Sequence, residues 1–173
     1  MTAKEFQKLV TEDKSDFLDR FLGLLRDKRI EYCVIGGLAV NAYSEPVVTL
    51  DCDVVVIASR LAELEEAARN MCRAERFEHS LNLSDPRSGV RIQIQTDPRY
   101  QSFIGRSTER DVLERALPVA AIEDLLQGKI WAFQDATRRG SKRQKDLVDI
   151  ARLIEARPEL AARVPEDIRK KLL

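Results

Sequence analysis

Two stretches decide the fold: Tyr32-Cys33-Val34-Ile35-Gly36-Gly37-Leu38-Ala39-Val40 and Thr49-Leu50-Asp51-Cys52-Asp53-Val54-Val55-Val56-Ile57. The first opens as a short apolar, β-rich run and ends in a glycine pair. That predicts a strand turning at once into a helix-like segment over Leu38–Tyr43, which Ser44-Glu45-Pro46 breaks. The second predicts a strand over Leu50–Ile57, and its valine run implies burial on both faces. Asp51 and Asp53 stand at i and i+2 on that strand, so their side chains share one face, about 6–7 Å apart by the strand rise. Two like charges on one face of a buried strand are costly unless a cation joins them, and a divalent metal does so. Backbone amides at Gly36 and Gly37 can approach a phosphate without a Cβ in the way. A β-branched residue at Gly37 is expected to intrude on that phosphate and to resist a turn with φ > 0.

Working outward, Phe17, Leu18, Phe21, Leu24 and Leu25 form the stripe of an amphipathic helix over Asp16–Lys28, with Ser15 as its N-cap. Leu61, Leu64, Ala68, Met71 and Cys72 mark a helix over Ser59–Arg73. A β-rich middle follows. Phe77–Leu83 alternates loosely, Asp85–Gly89 is a turn, and Val90–Gln95 alternates strictly, apolar on one face and polar on the other. Asp111–Val119 holds a short strand or two. The last third is helical, with one stripe over Ile122–Phe133 and another over Leu147–Ile154; Pro158 ends the second and Pro165 opens a short final helix. The order implies an α/β (α+β) protein: a core over residues 1–117, then a helical part over 118–173 packed on it as one compact unit, with a seam near Pro118.

Composition narrows the function classes. With 173 residues, 44% hydrophobic and 34% charged, the chain has a core and is neither disordered nor collagen-like. Its 29 basic and 29 acidic side chains cancel, so attraction to polyanions must be local. No stretch is apolar for long enough to span a bilayer and the N-terminus shows no signal-peptide core, so the expectation is a soluble, cytoplasmic protein. Cys33, Cys52 and Cys72 read as buried thiols, and the single His79 as a surface or strand residue. The D-x-D pair fails as an EF-hand loop because Val55 stands at the third ligand position. No G-K-S/T exists for a Walker A loop, and the glycines lack dinucleotide-fingerprint spacing. Arg138–Lys145 holds five positive charges in eight residues, either a solvated interhelical loop or a phosphate- or RNA-facing rim without the aromatic interleaving of a single-strand groove.

The combined motifs Ile35-Gly36-Gly37-Leu38-Ala39-Val40 and Thr49-Leu50-Asp51-Cys52-Asp53-Val54 resemble the signature of the polymerase-β-like nucleotidyltransferase superfamily. Leu125-Leu126-Gln127-Gly128-Lys129 and Lys142-Arg143-Gln144-Lys145-Asp146-Leu147-Val148-Asp149-Ile150 are similar to helical motifs of its small prokaryotic branch, related to abortive-infection toxins. The resemblance implies a mixed sheet flanked by helices. Gly36 and Gly37 would hold a nucleoside triphosphate, and Asp51 and Asp53 would hold Mg²⁺ or Mn²⁺. Lys129, Lys145, Asp146 and Asp149 would close over the nucleotide. The implied reaction transfers a nucleoside monophosphate to a hydroxyl of RNA or protein, with a separately encoded antitoxin as partner. One position departs. Relatives place a third carboxylate on the next core strand, where this chain has Gln93, and an amide cannot serve as a general base. Either two carboxylates suffice, or Asp97 or Asp146 substitutes, or the fold binds nucleotide or a partner protein without turnover.

Overall fold

The computed structural model describes every residue except Lys14, Ser15 and Leu173, so the N-cap expected at Ser15 lies outside the described residues. The chain opens with α1 (Ala3–Thr11), which the periodicity did not announce: Phe6, Leu9 and Val10 are exposed while Gln7 and Thr11 are buried. A reciprocal capping box between Thr2 and Glu5 starts it. Next, α2 (Phe17–Asp27) buries Phe17, Phe21 and Leu25 completely. β1 (Tyr32–Ile35) leads without a loop into α3 (Gly36–Asn41), and β2 (Asp51–Val56) returns antiparallel to β1.

A 3₁₀ turn over Ala58–Arg60 precedes α4 (Leu61–Arg69), which stops short of the expected Arg73. Met71 and Cys72 donate to the Ala68 carbonyl from a turn and still pack against the core, so their spacing mimics a helical stripe. β3 (Arg73–Arg76) and β4 (Ser80–Ser84) form a hairpin whose turn contains Phe77 and His79. Those two residues are exposed, which is why the alternation over Phe77–Leu83 is loose. β5 (Arg91–Gln95), a 3₁₀ turn over Pro98–Tyr100, the short α5 (Phe103–Arg106), and the hairpin of β6 (Thr108–Val112) and β7 (Arg115–Val119) follow. Pro118 lies inside β7, and the helical part begins after it with α6 (Ile122–Gln134), α7 (Gly140–Ala156) and α8 (Glu166–Arg169).

All seven strands join one mixed sheet in the order β3-β4-β5-β2-β1-β7-β6. β5 runs parallel to β2 and β7 parallel to β1, placing β1 and β2 at the centre. Alternation sends Cys52, Val54, Ile92 and Ile94 into the core. The odd-numbered residues Asp51, Asp53, Gln93 and Gln95 line a cleft that α3, α6 and α7 close. No helix among the described residues is long and apolar enough to cross a membrane.

Candidate active site

The cleft has a volume of about 250 Å³, and its floor is built by register. Asp53 stands between Ile35 of β1 on one side and Gln93 of β5 on the other; one step earlier, Asp51 faces Arg91. Gly36, the first residue of α3, sits beside Asp53 at φ +68°. A Cβ there would overlap the Asp53 carboxylate, so both conformation and space demand glycine. This corrects the expectation for Gly37, whose φ lies outside the left-handed region. A Cβ on Gly37 would meet Thr49 Oγ1 at an ordinary 3.7 Å. The protein alone accommodates a side chain at Gly37; only a ligand in the cleft would exclude one.

The two aspartates differ electrostatically. Asp53 is half-buried and makes no hydrogen bond or ion pair among the described residues. Burial pushes its carboxyl up to about 6; Lys129 pulls the other way and Asp51 adds to the rise. Asp51 is paired twice, with Arg91 Nε at 2.7 Å and Lys142 Nζ at 3.7 Å.

The wall opposite is an ion cluster between α6 and α7. Asp146 is 1% exposed and accepts from Lys129 Nζ at 3.3 Å and Arg138 Nε at 2.6 Å. Both of its oxygens are engaged, and Arg138 Nη2 adds a further contact at 3.2 Å. Lys129 also pairs with Asp149 at 2.8 Å, and Asp149 with Arg152 at 2.9 Å. Burial alone would lower the Lys129 pKa, but Asp149 and Asp146 together outweigh it and hold it above the ordinary lysine value. Lys145 is exposed and unpaired among the described residues, and it lines the same cleft.

A family model described as "Nucleotidyl transferase AbiEii toxin, Type IV TA system" matches residues 36–173. The chain belongs to the AbiEii nucleotidyltransferase toxin family. No curated protein matches it in sequence. Among solved structures, the antibiotic-resistance enzyme ANT(2″)-Ia in complex with adenylyl-2″-tobramycin superposes with a TM-score of 0.61 at 15% identity, covering 91% of this chain and 95% of that one. The lincosamide antibiotic adenylyltransferase LnuA, with lincomycin bound, gives 0.56 at 13% identity, covering 81% and 98%. An antigenic nucleotidyltransferase-like protein from Paracoccidioides brasiliensis gives 0.51 at 20% identity, covering 96% and 85%. At these identities the likeness is one of fold.

In this AbiEii-family chain the D-x-D pair and the glycine turn meet in one cleft with Gln93, Lys129, Lys145, Asp146 and Asp149. Asp97 does not join them: it caps the Pro98–Tyr100 turn, and its carboxyl, drawn down by the Arg99 side chain, is spent on that neighbour. The basic run divides. Arg138, Lys142 and Lys145 line the cleft, whereas Arg143 donates to the Phe133 carbonyl and Arg139 is exposed. Sequence reasoning missed the pairing of Arg91 with Asp51, which register alone sets up. It also missed the aromatic end of the cleft, where Tyr100 donates to the Gly128 carbonyl at 3.3 Å and packs edge-on against Phe103. A Cβ on Gly128 would press on the Tyr100 ring at 3.1 Å, so a side chain there would require that ring to shift by a few tenths of an ångström.

A divalent ion fits this site in one way. Among the described residues no group of three metal-ligating side chains exists. Asp51 and Asp53 offer a pair, and the partnerless Asp53 is a half-buried carboxylate in want of a cation. Mg²⁺ characteristically takes one or two carboxylates and fills its remaining positions with waters and substrate phosphates.

Proposed function

We propose that the protein is a nucleotidyltransferase that moves a nucleoside monophosphate from a nucleoside triphosphate to a hydroxyl of RNA or protein, within a toxin system that includes a separately encoded antitoxin. The observation that carries this reading is the unpaired Asp53 beside the obligatory Gly36, in a cleft whose other wall presents Lys129, Lys142 and Lys145. Asp51 and Asp53 would hold Mg²⁺ or Mn²⁺, which when bound neutralises phosphate charge. The amides of Gly36 and Gly37 and the three lysines receive the triphosphate, and the ion cluster of Asp146 and Asp149 fixes Lys129 for that contact. The acceptor oxygen bonds to the α-phosphorus as its bond to the bridging oxygen of pyrophosphate breaks. The hydroxyl proton passes to water at the cleft mouth, since the Gln93 amide accepts none. The second reading, nucleotide binding without turnover, draws on the same residue: Gln93 stands opposite Asp53, where a carboxylate would complete a three-ligand set.

Incubation with α-labelled nucleoside triphosphates, Mn²⁺, and total RNA or protein extract tests both. Label transferred by the wild type and lost in Asp51→Asn, Asp53→Asn supports the enzyme. Saturable triphosphate binding with no label transferred to either acceptor supports the second reading. Absence of triphosphate binding refutes both.

A further inference from the structure

The cleft is charged at one end and apolar at the other. Lys142 and Lys145 line the charged end, whereas Tyr100, Phe103 and Leu125 line the apolar one. Gln95, half-buried, lines the cleft on the apolar side. Along β5, Gln93 stands opposite Asp53 and Gln95 opposite the buried Val55, about 6–7 Å further in by the strand rise. β5 then runs into the Pro98–Tyr100 turn, which carries Tyr100 into the cleft.

The Gln95 amide is fixed end for end. Its Oε1 accepts from the Asp97 backbone N–H at 3.0 Å, and only the oxygen of an amide can accept that hydrogen. Nε2 is therefore the end left over. It makes no hydrogen bond among the described residues and is open to solvent, since the one fully enclosed side-chain polar atom without a partner among them is Asn82 Oδ1. Tyr100, at the same end, has given its hydroxyl hydrogen to the Gly128 carbonyl at 3.3 Å. A nucleoside triphosphate whose phosphates lie against the lysines has a flat, weakly hydrated base to place, and the apolar end suits it. A glutamine reads adenine with both ends at once, its oxygen accepting from N6 and its nitrogen donating to N7. Gln95 cannot do so with its oxygen turned to Asp97. It offers a donor alone, which matches a carbonyl oxygen of uracil, cytosine or guanine.

We infer that Gln95 selects the base of the nucleotide, taking a base with a ring carbonyl in preference to adenine. This deepens the nucleotidyltransferase reading above and rests on it.

The test is competition binding of non-hydrolysable analogues of ATP, GTP, CTP and UTP, with Mn²⁺ and without any acceptor, to wild type, Gln95→Ala and Gln95→Glu. Omitting the acceptor assigns any selectivity to the nucleotide. Glutamate keeps an oxygen for the Asp97 N–H, and so preserves the turn, but replaces the free donor by an acceptor that suits the adenine amino group. The readout is the ratio of affinities between analogues, in which a general loss of stability or the added charge cancels. For the wild type the tightest analogue should carry a carbonyl base, with the ATP analogue about fivefold weaker, the worth of one hydrogen bond. Gln95→Ala should bring that ratio close to one, and Gln95→Glu should favour the ATP analogue. A wild type that binds the ATP analogue as tightly as the best of the others, or a ratio that neither variant changes, overturns the role of Gln95 and leaves nucleotidyl transfer standing. A wild type that binds none of the four overturns nucleotidyl transfer, and this role with it.

Discussion

Replacing Asp53 by asparagine should stabilise the metal-free protein at neutral and alkaline pH. The Asp53 carboxyl is raised from an ordinary 3.8 to about 6, chiefly by burial, with Asp51 adding to it and Lys129 only partly offsetting it. A raised folded-state value on an acid means that the native protein holds the proton more tightly than the unfolded chain does. Native stability therefore falls as pH climbs from 3.8 to 6, and the full penalty is present above 6. Converting that shift gives a ceiling of about 3 kcal/mol; solvent reaching a half-buried side chain reduces it to about 1–2 kcal/mol. For a chain of this size Asp53→Asn should melt about 3–6 °C above wild type at pH 8, and the gap should narrow below pH 6 and close only as pH falls below 3.8, where the unfolded chain holds the proton as well. Mn²⁺ reverses the order, raising the wild-type melting temperature at pH 8 by mass action and leaving the variant little changed. Differential scanning calorimetry across that pH range, with and without Mn²⁺, reads all of this. An Asp53→Asn protein less stable than wild type at pH 8, or a gap independent of pH, would refute the claim that Asp53 is an uncompensated charge.

Three further outcomes follow from the same geometry. Gly36→Ala should cost about 1–2 kcal/mol from its left-handed backbone alone and lose Mn²⁺ binding by displacing Asp53, whereas Gly37→Ala should keep a near-wild-type melting temperature and lose triphosphate affinity; equal destabilisation of the two would contradict the placement of the turn. Gln93→Asp should tighten Mn²⁺ binding in calorimetric titration and lower metal-free stability by about 0.5–1 kcal/mol in urea, as a third carboxylate joins Asp51 and Asp53; unchanged metal affinity would remove Gln93 from the centre. Lys129→Met should cost about 1.5–3 kcal/mol in urea by leaving Asp146 to Arg138 and Asp149 to Arg152 alone, while Lys145→Ala should shift stability by less than about 0.5 kcal/mol and still weaken triphosphate binding; a Lys145→Ala protein with normal triphosphate affinity would take Lys145 out of the site.

What the sequence made legible was local chemistry, and what it hid was register. The glycine pair, the D-x-D spacing and the alternation of Val90–Gln95 each follow from side-chain period and backbone freedom, so the two central strands, α3 and the shared face of Asp51 and Asp53 could be read directly. The placement of Gln93 also rested on alternation, with Ile92 and Ile94 buried on the other face. Which glycine takes the left-handed turn depends on the offset between β1 and β2, a tertiary quantity that two adjacent glycines do not reveal. Arg91 looked like one more polar residue of an alternating strand until the parallel pairing with β2 set it against Asp51. The helix α1 escaped because its buried residues are Gln7 and Thr11, so the apolar period points away from the core. The end of α4 was overshot because a turn can bury Met71 and Cys72 at helical spacing.

The ion cluster links these two levels. Arg152 pairs with Asp149 and also donates to Asn41 Oδ1 at 2.8 Å and to the Glu45 carbonyl at 2.7 Å. Asn41 in turn exchanges two hydrogen bonds with the Val47 backbone, fixing the loop that carries Thr49 into the cleft. The chain of contacts runs from Lys129 through Asp149, Arg152 and Asn41, so one wall of the cleft is anchored to the helix that begins at the glycine turn. A buried charge network of this kind adds little net stability compared with an apolar core. What it provides is a fixed distance between the lysine wall and the glycine amides before any ligand arrives. On the proposed reading a triphosphate must contact both at once, and a site already set at that spacing avoids the ordering cost of assembling it on binding.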